Sequence, residues 1–155
     1  MSVFPCTDAT LPDKIGIPKK ILVAVDGSED GYKAADYAVE LASRLHSVIL
    51  FLYVAGASSA ERSYGITADM AGAFQQMGTE VLSKCSESAR KSGVAFETLL
   101  VPGDPADEIL KNAKKMNCDS IVIGKRGLSK MEKLLMGSIS DRVSKLSEVP
   151  VTVVK

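Results

Sequence analysis

Three glycines and a serine near the carboxyl end of the chain form the pattern with the clearest chemical meaning. Gly124 and Gly127 are separated by two residues, and after nine more residues Gly137 and Ser138 follow directly on one another. Glycine leaves the backbone N–H groups open to an anion because it has no Cβ. A helix opened by Gly137 and Ser138 would add the positive end of its dipole and its first N–H groups. The spacing predicts a cradle for a phosphate chain.

Side chains beside these glycines are candidates for the same site. Lys125 and Arg126 could lend positive charge to phosphates, and the hydroxyl groups of Ser138 and Ser140 could donate hydrogen bonds. In the alternative interpretation the glycines only turn the chain, Ser138 only caps a helix, and the basic side chains are solvated. Phosphate binding is favoured, because at a glycine frequency of about 7% fewer than ~1 in 100 chains of this length would show the pattern by chance.

Asp26 is a second candidate, because it follows the apolar run from Ile21 to Val25. A carboxylate at the end of a buried strand is costly unless it finds hydrogen bonds. It would either cap the following helix or accept a hydrogen bond from a ribose hydroxyl or the adenine edge. The residues alone leave both roles open.

The elements that must position these residues alternate along the chain from Lys20 onward. Short apolar runs rich in β-branched side chains are followed by longer stretches of helical period, which predicts βαβ units. Runs that are apolar throughout favour parallel strands covered by helices on both faces. We therefore expect an α/β fold with three layers, an open twisted five-stranded parallel sheet between helices, and ligands bound outside the carboxyl ends of the strands. The predicted strands are Ile21 to Val25, Val48 to Val54, Ala95 to Val101, Ser120 to Ile123 and Val151 to Val154.

Apolar stripes predict the helices, and all their members, including methionine and phenylalanine, are assigned to the core. Asp104 followed by Pro105 is typical of a helix start, and Gly93 of a helix end. The first three stripes are Ala34, Ala35, Ala38, Leu41, Ala42 and Leu45; Met70, Phe74, Met77, Val81, Cys85 and Ala89; and Ile109, Leu110, Ala113 and Met116. In the last helix Ile139, Val143 and Leu146 are expected to face the sheet.

Chain length, charge balance, apolar runs and cysteine number restrict the possible classes of function. A length of 155 residues predicts one domain, residues 19–155, after an extended or disordered arm, residues 1–18, that contains three prolines. Lysine plus arginine equals aspartate plus glutamate at 19 each, which argues against nucleic acid or an anionic membrane as partner. No apolar run approaches the roughly 20 residues of a membrane helix, and the start lacks the order of a signal peptide, so we expect a soluble cytoplasmic protein. The odd number of cysteines, without C-x-x-C spacing, argues against a disulfide framework or a zinc site, and burial is expected for Cys85 and Cys118.

Together these segments resemble the universal stress protein family, in its ATP-binding branch. The resemblance covers residues 19–155 and rests on VAVDGS at 23–28, GDP at 103–105, GKRG with the later GSIS, and the closing VPVTVVK at 149–155. The nucleotide motif of the family is glycine, two residues, glycine, nine residues, glycine, then serine or threonine. This chain matches every one of its specified positions.

The resemblance implies a Rossmann-like fold of the adenine nucleotide alpha hydrolase type, with strand order 3-2-1-4-5. It implies bound ATP, AMP or ADP, with Mg²⁺ or Mn²⁺ held by the phosphates. The first strand end and Val54 would contact adenine or ribose, while the loop from Gly124 to Lys130 and the turn from Gly137 to Ser140 would hold the phosphates. The implied site consists of Ala24, Val25, Asp26, Val54, Ile123, Gly124, Lys125, Arg126, Gly127, Lys130, Gly137, Ser138, Ile139 and Ser140. The stretch from Ala55 to Thr67 matches nothing in the family pattern.

Three functions are compatible with these residues: a nucleotide-dependent regulatory module of the stress response, a slow Mg²⁺- or Mn²⁺-dependent ATPase or phosphotransferase, and a nucleotide-free interaction scaffold. The first is favoured, because no catalytic dyad or nucleophile elbow is evident in the sequence. The single histidine, His46, is expected to be a surface or capping residue at the end of the first helix. The absence of G-x-x-x-x-G-K-[ST] excludes a P-loop NTPase.

A homodimer is expected through the last strand, Val151 to Val154. This apolar run is predicted to lie at a sheet edge, where unsatisfied N–H and C=O groups favour pairing with a second copy. The resemblance implies the same contact. An arm that covers the edge is the alternative.

Overall fold

The alternation of strands and helices is present in the protein, for which a computed structural model describes residues 16–56, 68–128 and 135–155. The strands in these residues are β1 (Lys20–Ala24), β2 (Val48–Ala55), β3 (Phe96–Pro102), β4 (Ser120–Gly124) and β5 (Val151–Val154). The helices are α1 (Glu29–Leu45), α2 (Ala68–Lys91), α3 (Pro105–Lys115) and α4 (Ser138–Leu146). Residues 1–15 of the predicted arm lie outside the described residues.

The five strands form one parallel sheet in the order β3-β2-β1-β4-β5, which confirms the predicted fold and strand order. The direction of winding reverses between β1 and β4, and such a switch point opens a crevice outside the carboxyl ends of the strands. Ala24 at the end of β1 lies opposite Leu52 in β2 and Ile123 in β4. The carboxyl ends of the three central strands therefore meet at one edge.

Two apolar layers hold the helices to the sheet, because successive side chains of a strand point to opposite faces. Ile21 and Val23 belong to the cluster with α1 and α2, whereas Leu22 and Ile121 belong to the cluster with α3 and α4. Each fully buried aliphatic side chain of this kind contributes about 1.5–3 kcal/mol. These layers fix the central strands and the loops that follow them.

The predicted helix ends are confirmed. The Asp104 side chain accepts from the Asp107 N–H at 3.1 Å, with Pro105 as the first residue of α3. His46 caps the end of α1 in the left-handed conformation with φ 57°, and Gly93 follows α2 with φ 67°. His46 is exposed, as expected of a capping residue on the surface.

Three apolar residues that we expected in the core are exposed. Met70 and Met77 on α2 are 46% and 45% exposed, and Leu146 at the end of α4 is 59% exposed, so their assignment to the core was wrong. With 24 residues, α2 is about 36 Å long, whereas the eight residues of the neighbouring β2 span about 26 Å. The first turns of α2, which carry Met70, therefore extend past the sheet, whereas Met77 is exposed because the neighbouring Gly78 faces Tyr53 and Leu100.

The strand ends differ from the expected ones by one residue. β1 ends at Ala24 rather than Val25, and β2, β3 and β4 each continue one residue further than expected. Val25 is still buried, and its N–H donates to the Leu52 carbonyl at 3.0 Å. Asp26 therefore lies in a loop two residues beyond the end of β1.

Cys85 and Cys118 are buried, as predicted, and burial raises the pKa of each thiol to about 11. Neither thiol is therefore an appreciable nucleophile near neutral pH. Over the described ranges, no helix has the length and apolar character needed to cross a membrane.

Candidate functional site

The two halves of the glycine motif lie against each other. The Lys125 carbonyl, in the loop after β4, accepts hydrogen bonds from the Gly137 N–H and from the Ser140 hydroxyl, both at 2.8 Å. These bonds join the loop to the start of α4, as the sequence predicted. Residues 129–134 between the two halves, including Lys130, lie outside the described residues.

The motif glycines are needed for space rather than for turning the chain. Among the described glycines, only Gly27, Gly93 and Gly103 have positive φ. A Cβ on Gly124 would lie 2.7 Å from the backbone carbonyl carbon and oxygen of Asp30, at the start of α1. A Cβ on Gly127 would lie 2.8 Å from Oδ2 of Asp26. Glycine at these positions lets the motif approach the start of α1 and the Asp26 loop before it more closely than any side chain allows.

The start of α4 differs from those of α1 and α3 in its capping. The N-cap of α4 is Gly137, with no side-chain hydrogen bond from any described residue, whereas Ser28 and Asp104 cap the other two helices. The suggestion that Ser138 is the cap was wrong, since Ser138 is the exposed first residue of the helix. Without a side-chain cap, the first N–H groups of α4 are suited to an external acceptor.

The Ser140 side chain connects the start of α4 to the loop after β4. The side chain is buried, and its hydroxyl lies 2.8 Å from the Lys125 carbonyl and 3.0 Å from the Gly137 carbonyl. A hydroxyl has one proton, so in this arrangement it is directed to the backbone of the motif. The amide of Lys125 is also engaged, donating to the Val154 carbonyl at 2.7 Å.

Asp26 lies between the start of α1 and Gly127. Its Oδ1 accepts from the Ser28 N–H at 2.9 Å and from the Ser28 hydroxyl at 2.5 Å. Ser28 in turn caps α1 by accepting from the Gly31 N–H at 3.0 Å, so Asp26 is not the cap. The second carboxylate oxygen, Oδ2, faces Gly127 and the motif loop.

Gly31 accommodates the Asp26 carboxylate, a role that the sequence did not reveal. A Cβ on Gly31 would lie 2.8 Å from Asp26 Oδ1 and 3.1 Å from the Ser28 hydroxyl oxygen. Glycine in the first turn of a helix lowers helix stability, so its presence there was the available signal. The Asp26 carboxylate packs against this bare Cα.

Replacing Gly31 by alanine is expected to lower the free energy of unfolding by about 1–3 kcal/mol, since the added methyl group overpacks against Asp26. Gly72→Ala, in α2, is the matched control, because a Cβ there meets nothing within 4 Å. The control is expected to gain up to about 1 kcal/mol from helix propensity. Urea denaturation measures both variants, and a stabilised Gly31→Ala protein would contradict the packing described here.

Arg126 is held by a carboxylate of α1. Its Nε donates to Asp30 Oδ2 at 3.0 Å, and Nη2 lies 3.5 Å from Oδ1. Asp30 is 4% exposed, and the Arg126 side chain is 28% exposed. This ion pair was not predictable from the sequence, because its partners are 96 residues apart.

The apolar residues of the implied site lie at or near the carboxyl ends of the central strands. Val25 and Ile123 are buried, while Ala24 and Val54 are partly buried and pack against the cluster with α3 and α4. Ile139 in the first turn of α4 packs against the same cluster. Ala24, Val54, Ile123 and Ile139 therefore form an apolar floor near the loop, whereas Val25 packs in the cluster with α1 and α2. Of the unmatched stretch, residues 57–67 lie outside the described residues.

Two tyrosine side chains that are affected by the charge of Asp26 have raised pKa values. Burial is the largest cause that raises the pKa of Tyr32 and of Tyr53, and the charge of Asp26 adds to both shifts. These phenols therefore stay neutral and are not general bases at neutral pH. Within residues 16–56, 68–128 and 135–155, no group of three or more His, Cys, Asp or Glu side chains is placed to hold a metal ion.

This fold and site define a class: doubly wound α/β proteins whose glycine loop and helix start meet at the switch point of the sheet. The chain belongs to the universal stress protein family, whose profile matches residues 18–155. A curated relative, "Universal stress protein YxiE" of Bacillus subtilis, is 34% identical over 146 residues, covering 88% of this chain and 98% of the relative.

Solved structures agree with the fold. The universal stress protein from Archaeoglobus fulgidus is 27% identical, with a TM-score of 0.70 over 91% of this chain and 100% of the other. A family protein from Arabidopsis thaliana, solved with AMP bound, is 26% identical, with a TM-score of 0.67 over 89% of this chain and 92% of the other. This chain is similar to both structures over most of its length.

Proposed function

We propose that the protein binds an adenine nucleotide, ATP, at the switch point of its sheet and acts as a nucleotide-dependent regulatory module of the stress response. The main support for the proposal is that the Lys125 carbonyl joins the loop after β4 to the start of α4, and that no side chain caps this helix start in the described residues. Backbone amides and a helix dipole that converge in this way favour a polyphosphate. The AMP bound to the Arabidopsis relative supports an adenine nucleotide as the ligand.

The residues present fit such a ligand. Gly127 offers an amide without a Cβ, and the first turn of α4 offers the amides of Ser138 and Ile139. Asp26 Oδ2 is directed to the same loop and is suited to accept from a ribose hydroxyl. The apolar floor at the ends of the central strands suits the adenine ring. A Mg²⁺ or Mn²⁺ ion would be held by the phosphate oxygens.

A homodimer formed through β5 is part of the proposal. β5 is an edge strand of the sheet, and its four residues are only partly buried. Its partly apolar edge favours pairing with the same strand of a second copy about a two-fold axis. A change in the loop on nucleotide binding can be transmitted to this edge, because the Lys125 amide of the loop donates to the Val154 carbonyl in β5. The proposed regulatory signal is a change at that edge which a partner protein reads.

A sample of the purified protein is first denatured, and any nucleotide released from it is identified by mass. Calorimetric titration of the native protein with ATP, ADP and AMP then tests the function. We expect saturable micromolar binding, with ATP tightest because its phosphates engage the loop. No binding of any of the three by nucleotide-free protein would indicate the interaction scaffold instead. Steady ATP turnover above that of the Gly127→Val variant would indicate the slow ATPase, since phosphoryl transfer depends mainly on positioning and electrostatics.

Two alanine substitutions test the orientation of the nucleotide. Asp26→Ala is expected to weaken ATP and adenosine alike, each by about tenfold, because the lost hydrogen bond is to the ribose. Ser138→Ala is expected to weaken ATP by a few fold and leave adenosine unchanged, because the lost donor faces the phosphates. Calorimetry with both ligands measures the difference.

Ser144→Ala is the matched control on α4, since the Ser144 hydroxyl donates to the Ser140 carbonyl one turn further along the helix. It should bind both ligands as the wild type does. Equal losses for ATP and adenosine in both site variants would show that the nucleotide is oriented differently.

A further inference from the structure

Asp30 is a buried carboxylate at a place where most helices carry a solvated one. It is the second residue of α1, and only 4% of it is exposed. The neighbouring Glu29 shows the ordinary arrangement, with an exposed side chain paired to Lys33 at 2.8 Å. The position of Asp30 near the positive end of the α1 dipole is favourable, but helix capping is already supplied by Ser28. The burial of Asp30 therefore calls for another explanation.

Asp30 contacts the motif loop through both its backbone and its side chain. Its carbonyl group packs on Gly124, so closely that a Cβ there would come within 2.7 Å. Its carboxylate receives the Arg126 guanidinium, two residues further along the loop. The Ser28 hydroxyl oxygen lies 3.4 Å from the Arg126 carbonyl, next to the same contact. The start of α1 thus touches the loop at successive points between the first two motif glycines.

We propose that Asp30 is a positioning residue of the nucleotide site: it anchors Arg126, and thereby fixes the backbone of the loop from Gly124 to Gly127 in the form that receives phosphates. Arg126 is a brace between the loop and α1 and not a phosphate ligand. This inference rests on the proposed nucleotide function and revises the role that the sequence suggested for Arg126.

The burial of Asp30 decides between the two roles of Arg126. Moving the guanidinium to a phosphate would leave the buried carboxylate with Lys33, whose Nζ is 3.8 Å away on a side chain that is 46% exposed. A buried charge that loses its closest partner is strongly destabilised, whereas an exposed pair gains little. Arg126 therefore stays on Asp30 while backbone amides meet the ligand.

Calorimetric affinities for ATP and adenosine test this with Asp30→Asn, Arg126→Gln and the double variant. Each single change is expected to weaken ATP about tenfold and leave adenosine unchanged, since only the phosphate loop is released. The double variant is expected to be no weaker than the worse single variant, because both remove one contact. Glu29→Gln is the matched control: it removes the same charge one residue away, at a side chain that is 83% exposed, and should bind as the wild type does.

A direct phosphate contact by Arg126 gives a different result. Arg126→Gln would then weaken ATP while Asp30→Asn left it unchanged or tighter, which would overturn the proposal. Equal losses for adenosine would also overturn it, since they would indicate a general structural role.

If Asp30→Asn does not fold, the salt dependence of ATP affinity provides a measurement that needs only Arg126→Gln and the wild type. The slope against salt in Arg126→Gln is expected to equal that of the wild type, and a shallower slope would mean that Arg126 contacts phosphate. A wild-type protein that binds no nucleotide would refute the proposed function itself. Wild-type binding with unaffected variants would refute only the positioning role.

Discussion

Replacing Gly127 by valine is expected to lower ATP affinity by at least about a hundredfold while the protein remains folded. The first added atom, Cβ, would lie 2.8 Å from Asp26 Oδ2, so either the carboxylate or the loop must move. Asp26 cannot retreat toward α1, because its Oδ1 is held by Ser28 and packs on Gly31. The loop is therefore displaced, and the loss of two hydrogen bonds to a charged phosphate, at about 1.5–3 kcal/mol each, lowers affinity by about a hundredfold or more.

Gly16→Val is the matched control for this change, because a Cβ at Gly16 meets nothing within 4 Å. It should bind ATP like the wild type in the same calorimetric titration. Circular dichroism and urea denaturation should show that Gly127→Val is folded, since Gly127 is only partly buried and lies in a loop. Undiminished ATP affinity in folded Gly127→Val protein would contradict the assignment of this loop to the phosphates.

The sequence was sufficient to predict the fold because the patterns that indicate each strand and helix lie in continuous stretches of the chain. Runs such as residues 48–54 are continuous in the chain, and their apolar character alone indicates a strand buried on both faces. The exposure of Met77 was not predictable in this way, since it depends on the rotation of α2, which turns the neighbouring Gly78 toward Tyr53 and Leu100. Hydrophobic period shows which side of a helix is apolar, but not where the surface that covers it ends.

The candidate site was predictable to the extent that its residues lie close together in sequence. The motif glycines and Ser138 fall within 15 residues, and the proximity of the two halves followed from their spacing. The contacts of Gly31 with Asp26 and of Arg126 with Asp30 depend on the rotation of α1 and on the register of β4 against β1. Tertiary packing sets these quantities, so side chains such as Asp30 became visible only in the structure.

Replacing Val153 by proline, at the sheet edge formed by β5, is expected to raise the dissociation constant of the proposed dimer by about a hundredfold or more. In a parallel strand, the N–H and C=O groups of one residue point to the same side, and successive residues alternate. The Pro150 carbonyl accepts from Ile121 in β4 at 2.9 Å, and the Val154 carbonyl accepts from Lys125 directly after β4 at 2.7 Å. The N–H of Val153 therefore points outward, where proline would remove it from an intermolecular ladder.

Thr152→Pro is the matched control for the dimer, because the same alternation directs the Thr152 N–H inward to β4. Proline there removes a hydrogen bond within the sheet, so this variant is expected to unfold at lower urea concentration. Val153→Pro should instead remain folded and sediment as a monomer at concentrations where the wild type is a dimer. Sedimentation velocity distinguishes these outcomes. An unchanged dimer in Val153→Pro would mean that a surface other than the β5 edge joins the two copies, and the loop would then need another route than Val154 to signal its occupancy.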